Sequence, residues 1–371
     1  MERLLVEPFF VMKVLERAKE LEKEGREVIH LEIGEPDLPV PERVKERAKE
    51  FLSSSEQKYT ESTGIYPLKE AIARYYEETY GVEVEPERVV LTPGSSPGLL
   101  ALLKVVSERV GEISYTDPGY PCYKNMLKFL NLKGRRVNTY PEEKFKVKAE
   151  RVETPALIVN SPSNPTGVVY SKEELKALSE KAFLISDEIY HGLVYDKGAP
   201  SVLEVSNSCA VVNGFSKFFL MTGWRLGWMV VPKELLPDIT AILQNTVISP
   251  PTLSQYAALA CFEEEVLEEL RSNVEIFRKR RDVLLKGLKE LGFKIPAEPL
   301  GAFYIYADAS RFTDDSFKFA FEVLEKTAVA ITPGRDFGEN RTEKFVRFSF
   351  CTSVEKIEEA LERLRRFLTG V

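Results

Sequence analysis

The chain has 371 residues, 44% hydrophobic and 29% charged, which excludes collagen-like and linker-like classes and leaves room for about two domains with sizeable cores. Lysine and arginine number 51 against 58 acids, a net charge of −7 with no block of one sign, so neither nucleic acid nor an anionic membrane is an expected partner. The four cysteines lie far apart without CxxC spacing and there are two histidines, which disfavours a disulfide framework, a metal site and histidine-dependent triads.

The start, Met1-Glu2-Arg3-Leu4-Leu5-Val6-Glu7, carries acids where a secretory signal needs bases. No apolar run reaches the roughly 18 residues of a membrane span, Gly98 to Val106 being broken by Lys104. A cytoplasmic protein is expected. Val11, Val14, Leu15, Ala18 and Leu21 keep helical spacing, with Gly25 placed as a C-terminal cap. Val28 to Ile33 then reads as a strand. Pro41 and Pro67 open helices, the second closed by Gly81. The β-branched run Val89 to Thr92 leads into a helix reaching about Val106. Further strands are expected over Ala156 to Asn160, Phe183 to Ser186, Cys209 to Asn213 and Gly227 to Val231. Between them Ser171-Lys172-Glu173-Glu174 is a capping box for a helix to about Ala182. Beyond Thr252 come charged amphipathic helices to about Leu291, strands over Phe303 to Tyr306 and Val346 to Phe350, and a last helix from Val354 to Leu368. That helix is read as starting from a capping box, Thr352-Ser353-Val354-Glu355. The alternation predicts an α/β fold with a mostly parallel sheet in a large domain over 41–275. A smaller α+β domain would use 1–40 and 276–371.

Five clusters carry possible chemistry, several of them at strand ends where open α/β sheets bind ligands. Leu91-Thr92-Pro93-Gly94-Ser95-Ser96-Pro97-Gly98 offers free N–H groups, hydroxyls and a helix N-terminus, an anion cradle or an ordinary N-cap. Asn160 to Gly167 forms a loop stiffened by Pro162 and Pro165, in which Asn164 can point its amide at a ligand or simply complete a turn. Asp187 and Tyr190 end another apolar strand and could grip opposite parts of one ring; Asp187 also suits a helix N-cap, and His191 reads as a packed histidine. Lys217 lies between Phe215 and Phe218, where desolvation turns an amine into a nucleophile, and Arg225 follows in the same apolar stretch. Arg347 sits amid apolar neighbours in Phe345 to Phe350, suited to a carboxylate or to a structural ion pair.

In combination these clusters resemble the class I/II aminotransferases, pyridoxal 5′-phosphate enzymes of fold type I, and among them the archaeal and bacterial aspartate aminotransferase-like subgroup. The resemblance spans nearly the whole chain, from Leu31-Glu32-Ile33-Gly34-Glu35-Pro36-Asp37, through Lys58-Tyr59-Thr60 and Gly64 to Ile72, to Pro333-Gly334 and Arg347. It implies that Lys217 holds the cofactor covalently and moves the proton, that Asp187 pairs with the pyridine nitrogen, and that Tyr190 and Asn164 hold the ring's phenolic oxygen. It places Tyr120 against the ring and Ser95, Ser96, Ser216 and Arg225 on the phosphate. Tyr59 would reach the phosphate of the neighbouring subunit in a homodimer with shared active sites. Gly34, Asn164 and Arg347 would receive the substrate α-carboxylate.

The activity so implied is ping-pong transfer of an α-amino group to a 2-oxo acid, with glutamate and 2-oxoglutarate as one pair. The other side chain would be neutral, aromatic or that of aspartate. The stretch Asn245 to Thr252 holds no base, and Ser96 stands where another subgroup has lysine, so no second cation for a dicarboxylate is evident. A side-chain pocket of Phe9 or Phe10, Tyr59 and Ile248 favours neutral or aromatic amino acids. Alternatives on the same scaffold are a carbon–sulfur β-lyase and a non-catalytic cofactor-binding relative. Against the latter stand Lys217, Asp187 and Arg225.

Overall fold

The computed structural model describes residues 6, 8–54 and 57–370; the acid-bearing start, Met1 to Leu5 and Glu7, lies outside the described residues. A seven-stranded sheet forms the centre. In spatial order its strands are Val89–Thr92, Gly227–Val230, Ala210–Gly214, Phe183–Asp187, Ala156–Asn160, Glu112–Asp117 and Lys133–Asn138. Gly227–Val230 runs antiparallel to both neighbours, and every other pairing is parallel.

The central strands read as unbroken apolar runs because both of their faces are covered. Leu157, Val159, Leu184 and Val211 point into one core, shared with Leu68, Ile72 and Tyr76 of the helix Tyr66–Tyr80. Ala156, Ile158, Ile185, Ala210 and Val212 point into the other, with Leu99, Leu102 and Leu103 of the helix Ser95–Val110. Two strands of this sheet, Glu112–Asp117 and Lys133–Asn138, are absent from the sequence reading. The second is an edge strand whose first four residues, Lys133 to Arg136, are exposed. Its charges protect an open edge rather than spell a buried strand.

The C-terminal part adds a three-stranded antiparallel sheet in the order Thr332–Pro333, Phe345–Ser349, Tyr304–Asp308. The helix Glu264–Leu291 runs 28 residues, burying Leu270, Val274, Phe277, Leu284 and Leu288 along one stripe before Gly292 ends it at φ 99°. The last helix, Val354–Thr369, starts without the expected reciprocal capping box. Ser353 alone caps it, accepting from the Lys356 N–H, because the residue three positions on is a lysine and not a glutamate. The box at Ser171 forms as read, although its helix ends at Ser179.

Of the strand expected over Val28 to Ile33, only Ile29–His30 pairs, in parallel with Val329–Ala330. Beyond it the carbonyls turn to other partners. Leu31 accepts from the Ser349 N–H at 2.6 Å, and Glu32 and Gly34 accept from Arg347 and Lys217. The first helix, Phe10–Lys23, lacks a cap from Phe9; the Asp336 carboxylate supplies one, taking the Phe10 and Val11 N–H groups at 2.8 and 3.1 Å. Among the described residues no helix is long and apolar enough to cross a membrane.

Candidate active site

Parallel strands aligned at one end place their C-terminal residues along a common edge, and Asn160 and Asp187 are direct partners in that register. The two loops are bonded together there, the Asn160 Nδ2 donating to the Asp187 carbonyl at 3.0 Å. Asp187 is buried. Its carboxylate accepts the Tyr123 hydroxyl at 2.6 Å and the Ile189 N–H at 3.2 Å. Burial pushes its pKa up to about 6 against those bonds and the charge of Lys217.

Lys217 follows the strand Ala210–Gly214 in a tight turn walled by the buried Phe215 and Phe218. Its ammonium donates to the Gly34 carbonyl at 2.7 Å and lies 5.7 Å from the Phe303 ring centre. Desolvation lowers its pKa; Cys351 and Glu35 oppose this, and the charges of Arg347 and Arg225 add to it. Gly34 has no room for a side chain, since a Cβ there would run into the Tyr304 hydroxyl.

The cradle at Gly94-Ser95-Ser96 is closed from above by Arg225. Arg225 adopts a left-handed backbone, φ 52°, and a Cβ built on Gly94 would stand 2.6 Å from its Nη2. Ser95 and Ser96 open the helix Ser95–Val110, whose first N–H groups have no partner within the helix. Ser216 is buried, its carbonyl accepting the Thr222 hydroxyl at 3.0 Å.

Arg347 lies buried on the strand Phe345–Ser349, its guanidinium 4.2 Å from the Tyr304 ring centre and 5.0 Å from that of Phe337. One terminal nitrogen donates to Asn164 Oδ1 at 2.9 Å. The other donates to the Glu32 carbonyl at 2.6 Å and the Thr332 hydroxyl at 3.2 Å. Its Nε is buried without a partner. Asn164 is fixed in turn by its own N–H on Asn160 Oδ1 at 2.7 Å.

Tyr190 meets Tyr304 hydroxyl to hydroxyl at 3.0 Å. Tyr120 precedes the helix Pro121–Phe129, edge-on to Tyr123 at 5.5 Å. The structure thus brings Gly34, Asn164, Asp187, Lys217 and Arg347 into one linked set, with Arg225 over the cradle. Tyr59 stands apart, 79% exposed, its neighbours Lys58 and Thr60 bonded to Thr252 and Gln255. Ile248 is also exposed, so neither lines a side-chain pocket within this chain. A cavity of about 490 Å³ beside Tyr120 is lined instead by Phe9, Phe10, Phe337, Lys124 and Arg335. Lys124 pairs with Glu339 at 3.1 Å and Arg335 more loosely with Asp315 at 3.7 Å.

The sequence reading missed Tyr123, Tyr304, Glu32, Thr332 and Arg335. Only Tyr123 had a signal, three residues after Tyr120 in the first turn of the helix that Tyr120 precedes.

Residues 26–364 match the family described as aminotransferase class I and II. The chain belongs to that family. The aminotransferase is 38% identical over 372 residues to the (5-formylfuran-3-yl)methyl phosphate transaminase of Methanocaldococcus jannaschii, covering 99% of each chain. It is 39% identical over 376 residues to the valine–pyruvate aminotransferase of Mycobacterium tuberculosis, covering 98% of this chain and 97% of the other. The solved aspartate aminotransferase from Thermus thermophilus with maleate superimposes with a TM-score of 0.92 at 36% identity, over 99% of this chain and all of the other. The aminotransferase is accordingly a pyridoxal-phosphate-dependent transaminase with the α/β fold of the aspartate aminotransferases.

Proposed function

We propose that this aminotransferase exchanges the α-amino group of an amino acid with a 2-oxo acid in a ping-pong cycle centred on Lys217. The observation carrying this is a desolvated amine at the Gly34 carbonyl beside the Phe303 ring, with a buried acid and a guanidinium-capped cradle close enough to act on it electrostatically. These residues suit pyridoxal 5′-phosphate. The space over Gly94 is already taken by Arg225, so the cradle is shaped for an anion and not for a side chain. Arg225, Ser95, Ser96 and Ser216 would hold the phosphate, Asp187 the ring nitrogen, Tyr190 and Asn164 the phenolic oxygen, and Tyr120 one ring face. When bound, the group supplies an electron sink for the charge left as the α-proton departs.

Lys217 would take that proton and hold it at its Nζ. Its lowered pKa leaves a larger fraction as free amine at neutral pH. Tyr123 keeps the Asp187 carboxylate aligned. Gly34, Asn164 and Arg347 would receive the α-carboxylate, and the unpartnered Arg347 Nε is one donor still available to it.

Glutamate and 2-oxoglutarate are proposed as one pair. Phe9, Phe10, Tyr120 and Phe337 favour a neutral or aromatic partner, while Arg335 on the same wall supports an anionic one such as aspartate. The large domain is proposed over 41–275, with 1–40 and 276–371 forming the small one, and Tyr59 serving the neighbouring subunit of a homodimer. Lys217→Ala should abolish transamination and the borohydride-reducible link to the cofactor; turnover at the wild-type rate overturns the assignment. A panel of amino acids, scored by conversion of the bound cofactor's absorbance, identifies the donor.

A further inference from the structure

We propose that Glu32 and His30 are positioning residues for α-carboxylate binding, the ion pair of the buried Glu32 with His30 fixing the main-chain carbonyl on which Arg347 is set. The inference rests on Arg347 being the carboxylate site.

The fork of Arg347 is aimed by few groups: Asn164 on one nitrogen, and the Glu32 carbonyl with the Thr332 hydroxyl on the other. Asn164 is itself locked by Asn160, and Thr332 sits in a paired strand. Strand pairing along this segment stops at His30, and beyond it the Glu32 carbonyl is met, besides Arg347, by the Thr332 hydroxyl at 3.0 Å. The Glu32 side chain adds a further tie, within the segment itself. In an extended chain residues two apart share a face, and the Glu32 Oε1 lies 2.7 Å from His30 Nδ1. His30 is held from its far side by Glu22 of the first helix, Nε2 to Oε1 at 3.2 Å.

The Glu32 carboxylate is fully buried and its second oxygen has no partner. Such a group is costly to keep, and an apolar side chain, as at the neighbouring Leu31 and Ile33, would avoid the cost. What the acid adds is a fixed direction for the peptide that follows His30. The same short segment presents the Gly34 carbonyl to Lys217.

The test uses the holoenzyme as wild type, Glu32→Gln, His30→Gln, the double variant and Arg347→Lys. Each is mixed with whichever of alanine, aspartate and phenylalanine converts the wild-type cofactor fastest, in single turnovers over a range of concentrations. Glu32→Gln and His30→Gln should each raise the apparent Kd about tenfold while the limiting rate stays within about twofold, and the double variant should be no worse than the worse single. An unchanged Kd in both singles overturns the proposal, as do limiting rates that fall with Kd or effects that multiply in the double. If Glu32→Gln does not fold, the half-exposed His30→Gln decides alone. A raised Kd in Arg347→Lys with none in the other variants defeats this proposal only, whereas an unchanged Kd in Arg347→Lys removes the carboxylate site beneath it.

Discussion

Arg347→Lys keeps the charge and removes the planar fork. The arginine now makes three hydrogen bonds, to Asn164, the Glu32 carbonyl and Thr332, and stacks 4.2 Å from Tyr304. A single ammonium cannot hold those partners on two sides and still present two parallel donors to a carboxylate. Losing a buried, charge-assisted, two-point contact costs about 2–4 kcal/mol, or roughly 30- to 1000-fold in kcat/KM. Leaving the Asn164 or Glu32 oxygen short of a donor should also cost about 1–2 kcal/mol of stability, a few degrees in Tm. The assay is kcat/KM for alanine, aspartate and phenylalanine with one common acceptor, beside a thermal melt. Every amino acid carries the same α-carboxylate, so the three losses should agree within a few-fold. A loss below about fivefold, or one confined to a single side-chain class, refutes the carboxylate role.

The bond to Glu32 raises His30 from 6.5 to about 9. A raised folded-state pKa stabilises fully below the unfolded value and is lost as pH climbs through the folded one, here across about 6.5 to 9. The Tm gap between wild type and His30→Gln should therefore narrow between pH 6.5 and 9.5; a constant gap refutes the pairing. Arg335→Gln should reduce kcat/KM for aspartate and glutamate about three- to tenfold and leave alanine and phenylalanine alone. Equal losses for all four would remove Arg335 from side-chain recognition. Tyr59→Phe should weaken cofactor retention about tenfold with little change in Tm, since the side chain is 79% exposed. A monomer fully active at high dilution would sink its role in the neighbouring subunit.

Much of the large sheet was legible because burial on both faces leaves unbroken runs such as Ala156 to Asn160. Lys133 to Arg136 hid an edge strand, since an exposed edge selects for charge. Lys217 and Asp187 were visible as charges at the ends of apolar runs. Tyr123 and Tyr304 were not. Tyr123 reaches Asp187 across 64 positions and Tyr304 reaches Tyr190 across 114, distances over which no local pattern speaks. The missing part of the expected strand at Leu31 to Ile33 has the same origin. Its carbonyls are claimed by Arg347 and Ser349, more than 300 residues away in the chain.

The first helix takes its cap from Asp336, and the strand after it takes its partner from Val329 and Ala330. On a ribosome these groups arrive last. The large sheet, from Val89 to Val230, can close on itself while the chain is still growing, but Phe10–Lys23 emerges without its cap and Ile29–His30 without its strand partner. The segment that holds Arg347 and Lys217 in register is thus among the last parts to settle. A nascent chain halted before residue 329 would carry a finished sheet and no means of gripping a carboxylate.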